Sequence, residues 1–397
     1  MSLAAKLPYD HPFAGGFNGI GSQPLPTDAD ALDYLARVKT ADGAGVEQGV
    51  AMAVDGFVKG CKADGIWDAI KASCIMAGAR TLTGALVPLR RGTELWDSAA
   101  SVTVADAGGS GGEWNPLTQT MSNASGTLVY FPIFTFASIT ATAGRQYRIT
   151  GTFSGDHTEV SRITFGGVDT NYPASSSSSF DFTITAASSG PLAINLQGSA
   201  APSSVTIESL SIREDFTPTP YNLTNFDYDR STGLKGDGST TYLDSGRAGN
   251  ADGEYDRHVS VFVDDRGTKG GGARYIASGT GNTNDTFINN LSAGSVISAV
   301  SNPSYDTVAY SGGGFLGSKR SISTSFDFRV GGTTTPFSRT SGTPNAENFG
   351  IFCQSIGNLA FSDARLAFYS IGSAISDLAL LDTRITAYVA AVAAALA

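Results

Sequence analysis

Apolar residues along this chain repeat every three or four positions up to about residue 95, then every second position, and finally every three or four again. A period near 3.6 marks helices with one buried stripe, and a period of two marks strands with one buried face. In the first segment, Thr27 and Asp28 offer N-cap oxygens to a helix carrying Leu32, Leu35 and Val38 on one stripe, stopped by Gly43. Val46, Val50, Val54, Phe57, Val58 and Cys61 predict a second helix that closes near Asp64-Gly65. Ile66, Trp67, Ile70, Cys74 and Ile75 predict a third, so residues 27–94 read as a small helical bundle behind a Pro/Gly-rich arm, 1–26.

The alternating region begins near Leu95. Tyr147 and Ile149, then Phe180, Phe182 and Ile184, then Leu192, Ile194 and Leu196 each skip one polar position. Val205 and Ile207 continue the pattern, but Leu210 and Ile212 resume it one residue late, and the slip at Glu208-Ser209 suits a β-bulge. Gly151 to Gly155 and Ser175 to Ser179 read as turns between strands. About seven short strands at even spacing predict a β-sandwich or jelly roll over 95–216. Thr217-Pro218-Thr219-Pro220 is a stiff connector. Beyond it Val259, Val261 and Val263, Phe326, Phe328 and Val330, and Leu366 and Phe368 alternate again, punctuated by Gly270 to Gly272, Gly312 to Gly314 and Gly331-Gly332. A second antiparallel sandwich is predicted over 217–375. The last segment, 376–397, carries Leu378, Leu381, Ile385, Tyr388, Val392 and Ala395 at three- and four-residue steps. This helix either packs on its own sandwich or forms the seam of a homotrimer. The fold class is mainly β, with two antiparallel sandwiches, a small N-terminal helical bundle and a C-terminal helix.

Composition narrows the function. The 397 residues are 41% hydrophobic and only 16% charged, enough apolar material for several cores. A net charge of −10 without a Lys/Arg cluster argues against nucleic acid and anionic membrane as partners. Cys61, Cys74 and Cys353 are odd in number and irregular in spacing, which suits buried thiols of a protein made in a cytosol rather than a disulfide framework or zinc site. The N-terminus lacks the apolar stretch of a signal peptide, and the longest apolar run is the alanine-rich end, so neither export by signal peptide nor membrane insertion is expected.

Motifs for catalysis fit poorly. Gly108-Gly109-Ser110-Gly111-Gly112 has the GxSxG spelling, but a nucleophile elbow needs a helix after it, and Glu113-Trp114-Asn115-Pro116 follows. Gly312, Gly314 and Gly317 spell GxGxxG in a stretch that continues as strand, so no helix N-terminus awaits a pyrophosphate. His11, His157 and His258 lie in different segments without metal-ligand spacing, and no alternating acids suggest a glycosidase pair. Asp237-Gly238-Asp244 and Asn282-Asn284-Asp285 are either Asx turns or Ca²⁺ loops. No catalytic residue, cofactor or metal is expected. What remains is binding. Sugars present apolar CH faces beside hydroxyls, so aromatics next to Asp and Asn are the candidates: Trp114 by Asn115, and Asp169 with Tyr172 beyond it.

The runs Asp28-Ala29-Asp30-Ala31-Leu32-Asp33-Tyr34, Phe57 to Cys74 and Ala77-Gly78-Ala79-Arg80-Thr81-Leu82 resemble segments of tailed-bacteriophage virion proteins. So does Asn225-Phe226-Asp227-Tyr228-Asp229-Arg230 through Thr240, with Tyr242-Leu243-Asp244-Ser245 after it. The resemblance implies that this phrase opens a concanavalin-like or laminin-G-like sandwich, which Leu366 to Gly372 and the terminal helix close. Tyr147 to Thr150 and Ile207 to Glu214 are similar to the carbohydrate-binding-module jelly rolls of phage fibres, here inserted after Gly92-Thr93. The resemblance implies a non-enzymatic virion subunit, of head-decoration, head-fibre or spike type, assembled in the bacterial cytoplasm. Its partners would be other capsid or tail proteins, with further copies of itself as a homotrimer. The alternatives are a tail fibre or receptor-binding protein that recognises host surface polysaccharide and, more remotely, a polysaccharide depolymerase.

Overall fold

The computed structural model describes residues 24–105, 111–123, 132–171, 178–196, 202–279, 284–292, 294–354 and 360–397. Strand accounts for 46% and helix for 17%, so the chain is mainly β, with antiparallel sheets paired into sandwiches and helices at both ends.

The jelly roll consists of two five-stranded sheets. One runs in the order Val102–Ala105, Ile133–Ala141, Gly190–Leu196, Val160–Phe165, Val168–Asn171; the other Gly112–Asn115, Thr120–Asn123, Ser203–Glu214, Gln146–Gly155, Ser179–Thr185. Their inward residues, Phe134, Phe136, Ile149, Phe153, Phe165, Leu192, Ile194 and Ile212 among them, form one core. The slip in the alternation is a bulge as expected: Ile207 lies opposite Phe153 and Ser209 opposite Thr152, leaving Glu208 as the extra residue. Gly151 to Gly155 differ from the expected turn, because they continue the strand Gln146–Gly155. The glycine is required inside that strand by a close approach. A Cβ at Gly151 would lie 2.6 Å from both the Phe180 ring and the Ser209 carbonyl oxygen.

The second sandwich pairs an eight-stranded sheet with a seven-stranded one. The seven-stranded sheet runs Thr219–Tyr221, Tyr242–Ala248, Asn348–Ile351, Ala273–Ser278, Asp285–Ser292, Ser295–Asn302, Asp306–Ala309. Val259, Val261, Tyr275, Ile276, Ile288, Phe326, Phe328 and Tyr369 fill the space between the sheets. The outer face of the eight-stranded sheet lies under the helices. The helix Ala29–Asp42 is capped by Asp28, whose carboxylate accepts from the amides of Asp30 and Ala31, and ends at Gly43 with φ 72°. Its buried stripe is Ala31, Tyr34 and Val38, one position off the Leu32 stripe the spacing suggests, and Leu32 remains 38% exposed. The helix Gln48–Ala63 buries Val50, Val54, Phe57, Val58 and Cys61.

Trp67 opens only a 3₁₀ turn, and Ile70–Ile75 is a strand antiparallel to Arg365–Gly372, not a third helix. Cys74 faces the sandwich core while Ile75 faces the helices. A strand apolar on both faces has no period of two, which is why its pattern reads as helical. The terminal helix Leu378–Leu396 is long and apolar enough to cross a membrane. Here its stripe of Leu378, Leu381, Ile385, Tyr388 and Val392 is buried against Phe57 and Phe368 within the same chain. The stripe is therefore packed on its own sandwich, the first of the two arrangements its spacing allows.

The jelly roll leaves and rejoins this body at adjacent points. Gly92 N–H donates to the Glu214 carbonyl at 3.2 Å, and a Cβ at Gly92 would strike the Glu214 backbone at 2.6 Å. Glu94 pairs with Arg213 across an isolated bridge and an ion pair at 3.0 Å.

Candidate functional site

The jelly-roll sheet that contains Trp114 turns a polar face to solvent. Inward alternation of Ile149, Phe153, Val205 and Ile212 leaves Arg148, Thr150, Thr152, Thr206 and Ser211 on the outer side. The neighbouring strand adds Ser179, Asp181 and Thr183. Where the bulge at Glu208 disturbs this surface there is a hollow of about 440 Å³, lined by Thr150, Gly151, Thr152, Ser179, Phe180, Asp181 and Ser209. Gly151 and its partner Phe180 face inward, where the Phe180 ring packs on Phe153 and takes the space of a Gly151 side chain, so what the hollow presents to solvent is four hydroxyls over bare backbone.

At one side Arg148 holds Asp181 in a bidentate pair, Nε to Oδ1 at 2.8 Å and Nη2 to Oδ2 at 2.6 Å. Both side chains are more than half exposed, so the pair adds little stability. Its effect is on charge and orientation: the Arg148 hydrogen bond outweighs partial burial and holds the Asp181 carboxyl below its usual value. The hollow therefore offers a planar acceptor–donor pair and hydroxyls of either sense. That set matches the hydroxyls of a sugar, which need both donors and acceptors.

The candidates from sequence are not brought together here. Trp114 lies on the edge strand Gly112–Asn115, half-buried, with its ring against Phe136 at 5.4 Å in the core. Asp169 lies on the edge strand Val168–Asn171 of the opposite sheet, where it accepts from Arg162 at 2.8 Å and from Thr164 at 2.7 Å. Tyr172 is outside the described residues. The sequence signal for the hollow was Gly151 inside a run of alternating residues, opposite Phe180.

Other chemistry is accounted for structurally. Ser110 and its neighbours 106–110 are outside the described residues, and a strand, Gly112–Asn115, follows them. Gly314–Arg320 is a strand, as the hairpin reading of GxGxxG requires. Ser370 Oγ lies 2.8 Å from His258 Nε2, a nucleophile–base distance, while His258 Nδ1 lies 2.6 Å from the Ser373 carbonyl. Both side chains are buried between sheet and helices, His258 at 1% exposure and Ser370 at 0%. Burial pushes the imidazole down to about 4. The carbonyl fixes the Nδ1–H tautomer, leaving Nε2 to accept from Ser370.

Asp237 accepts from the amides and hydroxyls of Ser239, Thr240 and Thr241, an Asx turn whose amide bonds outweigh burial and hold its pKa far below normal. Asn282 is outside the described residues. Among the described residues, no three His, Cys, Asp or Glu side chains converge to hold a metal ion. The three cysteines are buried, and burial raises the Cys61 and Cys74 thiols to about 12.

No family model matches the chain, and no curated protein matches it. Solved structures with partial likeness include a CBM4 carbohydrate-binding module, 14% identical over 29% of this chain and 94% of that one, TM-score 0.21. Mouse laminin α1 domains LG4-5 are 9% identical over 58% and 83%, TM-score 0.25. The CBM22 tandem of Paenibacillus barcinonensis Xyn10C is 7% identical over 72% and 99%, TM-score 0.23. These neighbours are carbohydrate-binding modules and laminin-G domains with lectin-like β-sandwiches. At such TM-scores the functional reading rests on the residues described above.

Proposed function

We propose that this protein is a non-enzymatic polysaccharide-binding subunit that grips glycan through the outer face of its jelly roll. The observation that carries the reading is the hollow over Gly151, where four hydroxyls and the Arg148–Asp181 pair meet on the solvent-facing side of the sheet. A shallow site of this kind binds weakly, at millimolar to micromolar Kd or roughly −4 to −8 kcal/mol, and gains through copy number. A polysaccharide array probed with the full chain, alone and clustered on beads, tests it. Retention that falls at least tenfold in Arg148→Ala supports the site, and silence of the clustered wild type rejects it.

The setting we propose is the exterior of a tailed-phage particle, as a head-decoration, fibre or spike subunit. Support comes from the resemblance of Asn225 to Thr240 to virion proteins and from the inserted jelly roll, whose two ends lie side by side at Gly92 and Glu214. Mass spectrometry of purified particles tests this setting: peptides of the chain at structural stoichiometry support it, and their absence rejects it.

A further inference from the structure

The second sandwich carries an aromatic and carboxylate pair that the jelly-roll reading does not use. Tyr221 and Tyr242 lie directly opposite each other on neighbouring strands, and their rings stack face to face, centroids 4.4 Å apart and 6° from parallel. Inward-facing Leu243 puts Tyr242 and Asp244 on the outer side of the seven-stranded sheet. Thr219–Tyr221 is the edge strand, so the far face of the Tyr221 ring has no strand beyond it, and the residue is 38% exposed. Phe361 backs Tyr242 at 6.3 Å.

Two residues along from Tyr242, or about 7 Å, Asp244 lies opposite Thr219. Its carboxylate is fixed by the Gly246 amide at 2.8 Å and by Asn348 Nδ2 at 3.1 Å. A carboxylate held by two neutral donors keeps further lone pairs for hydroxyls and repels anions. The chain's net charge of −10 acts in the same direction.

We infer that Tyr221, Tyr242 and Asp244 form a second sugar seat, for a neutral pyranose unit stacked on Tyr221 with its hydroxyls on Asp244 and Asn348. The inference rests on the polysaccharide-binding reading but places a separate contact on the other sandwich. The seat adjoins the junction, since a Cβ at Gly246 would lie 2.9 Å from Gln146 of the jelly roll.

The test is calorimetric titration of the full chain with neutral hexasaccharides (cellohexaose, xylohexaose and mannohexaose) and with a polygalacturonate hexamer as the acidic probe. With the neutral hexamer that binds, Tyr221→Ala lowers affinity about tenfold, Tyr221→Trp retains it, and Arg148→Ala with Tyr221→Ala removes it. Undiminished binding in Tyr221→Ala, or stronger binding of the acidic probe, overturns the seat. Loss in Arg148→Ala alone would then leave the jelly-roll reading standing. Loss in Tyr221→Ala with none in Arg148→Ala would overturn the jelly-roll site and keep this one, and no binding to any neutral hexamer overturns both.

Discussion

Glu214, the last residue of the jelly roll's longest strand, is held by Arg247 of the second sandwich at 2.8 Å, and the guanidinium is only 3% exposed. Asp252 completes the pair from the other side at 2.6 Å, and Arg145 reaches Glu214 at 3.2 Å while donating to the Ala251 carbonyl. Burial works against the Arg247 charge, but Asp252 and Glu214 outweigh it and raise its pKa. The junction is therefore a hydrogen-bonded clamp between the two sandwiches. Loss of the Glu214 charge leaves Arg247 paired with Asp252, so the cost is that of a hydrogen bond between charged groups, about 1.5–3 kcal/mol. Glu214→Gln should lower unfolding stability by roughly that amount and widen the distribution of distances between spin labels on the two sandwiches. An unchanged distribution would show that the clamp does not set orientation.

Gly151 forms the backbone floor of the hollow, with the Phe180 ring packed beneath it on the inward side. Gly151→Val sets side-chain atoms against the Phe180 ring and the Ser209 carbonyl, each 2.6 Å from the Cβ position. Overpacking of this kind costs about 1–3 kcal/mol. The expected result is a folded protein with a lower melting temperature and, because the floor of the hollow is displaced, weaker glycan retention; retention at wild-type strength would place binding elsewhere.

Stability should fall on mild acidification. His258 is buried neutral with a pKa of about 4, against the usual value near 6.5 in an unfolded chain. Below pH 6.5 the unfolded state takes up a proton that the native state refuses until about pH 4, so stability drops across that window, by up to about 3 kcal/mol. Urea titrations at pH 7, 5.5 and 4.5 measure the slope. His258→Gln should be less stable at pH 7 yet flatter in this range; an equal slope in the variant would assign the effect to other groups.

Calcium should have no bearing on the Asp237 loop. Its carboxylate is already saturated by donors from Ser239, Thr240 and Thr241. Melting curves in EDTA and in millimolar Ca²⁺ should superimpose, and a calcium-dependent rise would identify a site formed by other oxygens.

The terminal helix belongs to the fold. Tyr388 donates to the Ala77 carbonyl at 2.8 Å and packs edge-on to Phe57 at 5.9 Å. Tyr388→Ala should cost about 3–5 kcal/mol, as large aromatic deletions in cores do, in unfolding curves independent of protein concentration. A concentration-dependent midpoint would return this helix to an intermolecular seam.

Much of the architecture was legible along the chain because one-sided burial imposes a period. Leu192, Ile194 and Leu196 alternate as read, and the late return at Leu210 marked the bulge that opens the hollow. Ile70–Ile75 was misleading because it is buried on both faces, against the sandwich core and under the helices. In the first helix the buried stripe runs through Ala31, Tyr34 and Val38 and leaves Leu32 exposed. Site residues were harder. Trp114 is a sugar-binding candidate by its place next to Asn115, yet its ring packs against Phe136. Tyr221 and Tyr242 are twenty-one residues apart in sequence, and only strand pairing makes them a stack.

The central claim is that the solvent face around Gly151 holds polysaccharide, and the most direct measurement is a heteronuclear NMR titration of the isotope-labelled full chain with the best array polysaccharide. The account predicts shifts concentrated in the amides of Thr150, Gly151, Thr152, Asp181 and Ser209, lost in Arg148→Ala. Saturating polysaccharide that leaves those amides unmoved while shifting others would contradict it.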